Sequence, residues 1–318
     1  MTRTPSVRAW AALPRHTLDL PVDHFDLSHS LDCGQAFRWR RDGEGWVGVV
    51  GRRVYRLERL DRRRVECRAF PDDADALDEL ASYLRLEVDL GAVHAYLRDR
   101  DPRMDEAIDG FAGLRVLGQP PRETLLTFVC SPASNVVRIT RSIDALARLY
   151  GEPIADIGGA SYHAFPTADV LAACRPGELM RTAGLGFRGE NLRRVAAEVA
   201  ARGSDWPREL ARADEEHARR ELATLATVGP KIADCVALFG LRHDGAVPVD
   251  THVWALARQL FGGRFLSRTL TPSVYEEVRG AFRERFGPWA GWAQQYLFHA
   301  RRVGRALPMP SEVTLQRA

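Results

Sequence analysis

Of the 45 lysine and arginine residues in this 318-residue chain, a single one is a lysine, Lys231. Arginine serves wherever a fixed positive charge is enough, because the guanidinium stays protonated at any physiological pH. Only an ammonium can lose its proton and become a nucleophilic amine. A lone lysine in an arginine-saturated chain is therefore a candidate for amine chemistry, against the plain alternative of a solvated charge left over by arginine-biased composition. Its neighbours favour the first reading. In Leu225-Ala-Thr-Val-Gly-Pro-Lys-Ile-Ala-Asp234, Gly229 permits a tight backbone and Pro230 pre-sets the first turn of a helix. Such a hairpin turns backbone N–H groups outward at the helix N-terminus, an anion site suited to a phosphate. Lys231 falls in that first turn, at the positive end of the macrodipole, which favours the neutral amine over the ammonium.

Nineteen residues downstream runs Val247-Pro-Val-Asp-Thr-His-Val-Trp254. Asp250 stands just before an apolar-periodic helix and reads as its N-cap. A capping carboxylate is held rigidly, as a catalytic group must be. His252, two positions on, lies in the first turn, where it could contact a phosphate or simply pack.

The rest of the chain must position these groups. Its length implies two or three hydrophobic cores, and its 45% apolar and 27% charged content is that of an ordinary globular protein. The uncharged stretches fall short of the roughly 18 apolar residues of a membrane span. The N-terminal apolar run at 9–14 is too short for a signal peptide, so the protein is expected to be cytoplasmic. Five widely spaced cysteines (Cys33, Cys67, Cys130, Cys174, Cys235) argue against a disulfide framework and against a CxxC-type metal site; no metal or cofactor is expected. The net charge of +3 conceals an asymmetry: residues 71–110 hold 12 acids and 4 arginines, whereas 250–306 hold 9 arginines and 4 acids. A basic region suits a polyanion such as nucleic acid, although this feature alone is weak.

Residues 36–70 read as a β-meander, with strands at 36–40, 46–50, 54–58 and 65–70 separated by turn signals at residues 42–45, Gly51 and Asp61. After Pro71 the rhythm becomes helical. From Pro121 onward no strand is predicted, and helices are expected at 125–129, 137–149, 168–174, 192–201, 215–225, 231–239, 251–260, 272–286 and 289–303. The fold class is α+β: a small antiparallel sheet with helices over 1–120, an all-helical domain over 121–306, and a loose tail over 307–318.

Val228-Gly-Pro-Lys-Ile-Ala-Asp-Cys235 followed by Val247-Pro-Val-Asp-Thr-His252 resembles the signature of the helix–hairpin–helix DNA glycosylases that carry a catalytic lysine and aspartate. Leu31-Asp-Cys-Gly-Gln-Ala-Phe-Arg-Trp39, Phe128-Val-Cys-Ser131, Asn135-Val-Val-Arg-Ile-Thr140, Leu185-Gly-Phe-Arg188 and Gly287-Pro-Trp-Ala-Gly-Trp-Ala-Gln294 with Leu297-Phe298 narrow the resemblance to the 8-oxoguanine DNA glycosylases. It spans nearly the whole chain, and several ordered motifs together are far more specific than the hairpin alone. The resemblance implies a partner, damaged double-stranded DNA, and an enzyme that acts as a monomer and extrudes the oxidised nucleotide into a pocket. Lys231 would attack C1′ of the deoxyribose and Asp250 would stabilise the charge developing as the glycosidic bond breaks. The Schiff base so formed would permit strand cleavage by β-elimination. Gly34 matches the backbone carbonyl that reads the lesion's N7–H, Gln294 the reader of the Watson–Crick edge, and Cys235 and Phe298 the walls around the base. For the DNA, His252 matches a phosphate contact and Val228 and Gly229 belong to the phosphate-binding hairpin. Arg138 and Arg188 match the pair that reads the orphaned cytosine. Phe187 stands where a tyrosine wedge is common, and Asn135 closes the loop before Arg138.

One position departs from the family pattern. Ala133 occupies the place of an asparagine that contacts the orphaned cytosine, and alanine has no amide to offer. Weaker discrimination for cytosine is expected. Two rivals stay within the superfamily. A water-using glycosylase has no need of Lys231, and an endonuclease III-like enzyme would bring a four-cysteine cluster that this chain lacks. A bare DNA-binding module would accept arginine at 231.

Overall fold

The computed structural model describes residues 6–7, 9–20 and 25–305; the expected tail at 307–318 lies outside them. Five antiparallel strands form the first sheet, in the order His16–Asp19, Arg64–Phe70, Arg53–Arg59, Gly45–Val50, Trp39–Asp42. Asp42 pairs with Gly45 across a two-residue turn in which Gly43 has φ +59°, the positive value that a tight hairpin needs. Trp39 lies opposite Gly48, and a Cβ there would fall 2.3 Å from the indole, so only glycine lets the ring lie on the sheet. The strand at 16–19, four residues without a flanking turn signal, is an addition to the expected meander.

Each face of this sheet is covered. On one, Leu80, Tyr83 and Leu84 from the helix Ala76–Tyr83 and the residue after it pack on Trp39, Trp46, Tyr55 and Leu57. On the other, Val47, Val49 and Val54 meet Ile154, Ile157 and Tyr162. These last residues belong to a β-hairpin, Pro153–Ile157 with Ala160–His163, and Ser6–Val7 adds to it in parallel. The expectation of no strand after Pro121 is therefore corrected. Gly158 and Gly159, at φ +59° and +80°, supply the turn, and the short apolar run finds its partner only across the chain, on the first sheet. Double coverage explains why Gly45–Val50 is buried throughout and shows no polar alternation.

The remaining core is helical. Val93, Leu97, Met104 and Ile108, from helices Leu90–Arg100 and Arg103–Gly110, share one core with Trp292, Tyr296 and Leu297 of the last helix, Ala290–Arg302. The same core runs on through Pro230–Phe239 and Thr251–Leu260. Asp244 ties the parts together: it accepts two bonds from Arg85 (2.6 and 3.1 Å) and one from Trp292 Nε1 (2.8 Å). The acidic stretch is partly neutralised by its own arginines, Arg98 with Asp105 and Asp109 and Arg103 with Asp101. Among the described residues no helix is long and apolar enough to cross a membrane.

Candidate active site

The expected helix–hairpin–helix forms from Glu215–Ala223 and Pro230–Phe239. Its backbone differs in one detail from the reading above. Gly229 is the extended N-cap of the second helix (φ −86°), and the left-handed residue is Thr227 (φ +66°). A Cβ at Gly229 would meet nothing within 4 Å, so neither its conformation nor its packing demands a glycine. Room is left for something to approach the backbone from outside, beside the first-turn N–H groups that a helix leaves unpaired. Val228 is buried and anchors the loop.

Lys231 is half-buried. Its ammonium lies 5.1 Å from the centroid of the Phe128 ring and 3.4 Å from Ser131 Oγ. One turn on, Cys235 is buried and close enough to feel both Lys231 and Asp250. Burial pushes its thiol up to about 11 against the pull of Lys231, with Asp250 adding to the rise. Cys235 is thus held as a neutral, buried thiol and is no rival nucleophile. Asp250 caps Thr251–Leu260 as expected, its Oδ1 accepting from the N–H groups of His252 (2.9 Å) and Val253 (2.8 Å).

Of the other expected base-binding residues, Gln294 and Phe298 share the last helix, and Gly34 is a neighbour of Phe298. Gln294 is only 3% exposed, yet its Oε1 has no hydrogen-bond partner. One turn later on the same helix, Phe298 meets the exposed His252 edge-on, with ring centroids 5.6 Å apart. Gly34 has φ +89°, a conformation that favours glycine, and a Cβ on it would come within 3.9 Å of Phe298.

A second group forms around the loop after Phe128. Arg188, one of many arginines by sequence, is buried; its Nη1 donates to the carbonyls of Pro132 (2.9 Å) and Ala133 (3.3 Å). Its guanidinium also lies 5.5 Å from the ring of Phe187, which is 57% exposed. Asn135 caps the helix Val136–Tyr150 by accepting from the N–H of Arg138, whose side chain is exposed. Ser131 joins the two groups, touching Lys231 at one end of a loop whose next residues hold Arg188. Phe128 and Ser131 were quoted only as motif residues; their contacts with Lys231, across about a hundred positions, leave no periodic signal in sequence.

Among the described residues no cluster of three or more His, Cys, Asp or Glu side chains is placed to hold a metal ion. A surface cavity of about 510 Å³ bounded by Arg242, Asp244, Arg283 and Pro288 is lined by none of the expected catalytic, base-binding or DNA-binding residues.

Residues 17–125 match the family described as 8-oxoguanine DNA glycosylase, N-terminal domain. The chain is 33% identical over 307 residues to N-glycosylase/DNA lyase OGG1 of Arabidopsis thaliana, spanning 93% of this chain and 81% of that protein. It belongs to the 8-oxoguanine DNA glycosylase family. The N-glycosylase/DNA lyase of Saccharomyces cerevisiae is 31% identical, over 87% of this chain and 83% of its own length. The 8-oxoguanine glycosylase/lyase of Clostridium acetobutylicum has been solved in complex with double-stranded DNA containing cytosine opposite 8-oxoguanine. It superposes with a TM-score of 0.80 at 27% identity, covering 89% of this chain and 93% of that one. The helix that carries Lys231 and the helix capped by Asp250 thus lie in a fold shared with these relatives over most of their length.

Proposed function

We propose that this protein excises 8-oxoguanine from duplex DNA and then cleaves the strand at the abasic site. The observation that carries this reading is the chain's single amine side chain and a rigidly capped carboxylate, Lys231 and Asp250, both within electrostatic reach of the buried Cys235. The flipped base enters between Cys235 and Phe298, with its Watson–Crick edge toward Gln294 and its N7–H toward the carbonyl of Gly34. The neutral amine of Lys231 attacks C1′, and the bond from C1′ to the base breaks with the electron pair leaving on the base. Asp250 stabilises the positive charge that develops on the sugar. Ring opening leaves an iminium on Lys231, which acidifies C2′–H; loss of that proton expels the 3′ phosphate by β-elimination. The hairpin N–H groups and His252 hold flanking phosphates. Arg138 and Arg188 face the orphaned base. The enzyme works as a monomer on DNA and needs no metal.

The test compares wild type with Lys231→Gln on duplex DNA bearing one 8-oxoguanine opposite cytosine. Wild type is expected to release the base and nick the strand without alkali, and the variant to lose both activities by on the order of a thousandfold or more. Base release that persists in the variant, leaving alkali-labile abasic sites, would favour a water-using glycosylase instead.

A further inference from the structure

Asp234 lies one turn beyond Lys231 on the same helix and is fully buried. Its Oδ1 sits 2.6 Å from Arg219 Nε and 3.3 Å from Arg279 Nε, and its Oδ2 accepts from the hydroxyl of Tyr275 at 2.5 Å. That hydroxyl in turn accepts from the backbone N–H of Val249 at 3.2 Å. Val249 is buried and immediately precedes Asp250. The hydroxyl thus links the Lys231 helix to the segment that presents Asp250, which is otherwise separated from it by nineteen residues of chain.

We propose that Tyr275, held by Asp234, is a positioning residue that fixes Asp250 relative to Lys231. The inference rests on the glycosylase/lyase reading above. A buried ion cluster is a poor device for stability, since apolar replacements of similar volume often match it; it serves better to enforce one arrangement. Here the arrangement enforced is the spacing of the two groups on which excision depends. Misplacement by about 1 Å at such a site is enough to slow chemistry by on the order of a hundredfold. The hydroxyl has one proton, given to Asp234, and its lone pair takes the Val249 N–H; phenylalanine can supply neither bond while filling the same space.

Two variants separate positioning from stability. Tyr275→Phe keeps the ring and removes the hydroxyl. Asp234→Asn keeps an acceptor for that hydroxyl but removes the charge that Arg219 and Arg279 face. Three quantities are read on full-length protein: the single-turnover rate constant for base release, the Kd for lesion DNA, and borohydride trapping on duplex carrying a preformed abasic site. Tyr275→Phe is expected to slow base release at least tenfold, with Kd and abasic-site trapping within about twofold of wild type, because the preformed site no longer needs Asp250 at a breaking glycosidic bond. Asp234→Asn is expected to lower Tm and to slow base release less than Tyr275→Phe does, because its side-chain oxygen can still accept from the hydroxyl. Base release by Tyr275→Phe at the wild-type rate overturns the positioning role alone. So do base release and trapping falling together in both variants in step with Tm, since that marks a purely structural cluster. Wild-type protein that neither releases base nor is trapped overturns the functional reading and this inference with it.

Discussion

Two buried glutamines differ in how far the fold satisfies them. Gln35 is 1% exposed and fully paired: its Nε2 donates to the carbonyls of Ser30 (2.9 Å) and Arg115 (2.7 Å), and its Oε1 accepts from the N–H of Leu117 (3.0 Å). It ties the segment around Ser30 to the stretch 115–117, whose Val116 belongs to the helical core and Leu117 to the core of the first sheet. Gln294, at 3% exposed, is as deeply buried, yet its Oε1 has no partner. An unmet buried acceptor costs on the order of 1–3 kcal/mol. On the proposed reading, the open acceptor of Gln294 is the one that meets the flipped base. The same contrast runs through their surroundings. Around Gln35 the amide is closed by backbone groups, whereas Gln294 lies one turn from Phe298, whose ring meets the exposed His252.

The contrast breaks most visibly if both glutamines are replaced by leucine. Gln35→Leu leaves the Arg115 carbonyl and the Leu117 N–H unpaired in the core, and the Ser30 carbonyl with only the Cys33 thiol, and is expected to lower stability by about 3 kcal/mol, seen as a lower midpoint in urea. Gln294→Leu removes an acceptor that was already unpaired. Its stability is expected to equal or exceed that of wild type while excision of 8-oxoguanine falls by on the order of a hundredfold. Equal loss of stability in both variants would remove the distinction.

His299 sharpens the comparison, because its Nδ1 also lacks a partner but the ring packs against Phe111 and His29, at centroid distances of 4.6 and 5.6 Å. Burial first, and then the nearby Arg302, lower its pKa to about 4. The fold therefore holds it neutral, and its contribution is present above the unfolded value near 6.5 and is lost as pH falls from there toward 4. Wild type should lose up to about 3 kcal/mol over that window on account of this residue. The fall in chemical stability between pH 7 and 4 should be correspondingly shallower in His299→Gln, with excision at neutral pH little changed. Parallel curves for the two proteins would show that the ring is not kept neutral.

The smallest effect is expected in the loop that holds Arg188. Ala133 is exposed at φ +50°, a conformation that asparagine tolerates better than alanine. Ala133→Asn should fold normally and restore an amide beside Arg188. Excision rates opposite cytosine and opposite adenine, compared in both proteins, are expected to differ less in wild type. The variant should widen the ratio severalfold. A wild-type preference for cytosine already as wide as that of the variant would mean that the amide is not what discriminates.

How far these contrasts are legible in sequence depends on the reach of the interactions. Lys231 and Asp250 stand out because a single lysine and a capped helix are local signals, and three central strands of the first sheet follow from their flanking turns. The hairpin at Pro153–Ile157 and Ala160–His163 was missed despite Gly158-Gly159, since its apolar residues answer to Val47 and Val54 rather than to their own neighbours. Short helices at Glu178–Thr182 and Trp206–Arg212 carry too few turns to show a rhythm. The tyrosine that joins Asp234 to Val249 lies 41 positions from one and 26 from the other. Nothing in the chain between them announces the contact, and the same holds for Ser131 beside Lys231.

The most direct measurement exploits the single lysine. With one lysine, the protein offers two primary amines to an abasic aldehyde, Nζ of Lys231 and the N-terminal amine. Borohydride reduction during turnover on 8-oxoguanine duplex, followed by protease and nuclease digestion and mass spectrometry, locates the sugar remnant. The expected result is a remnant on the peptide that contains Lys231 and on no other. A remnant on the N-terminal peptide, or base release with no adduct at all, would contradict Lys231 as the nucleophile.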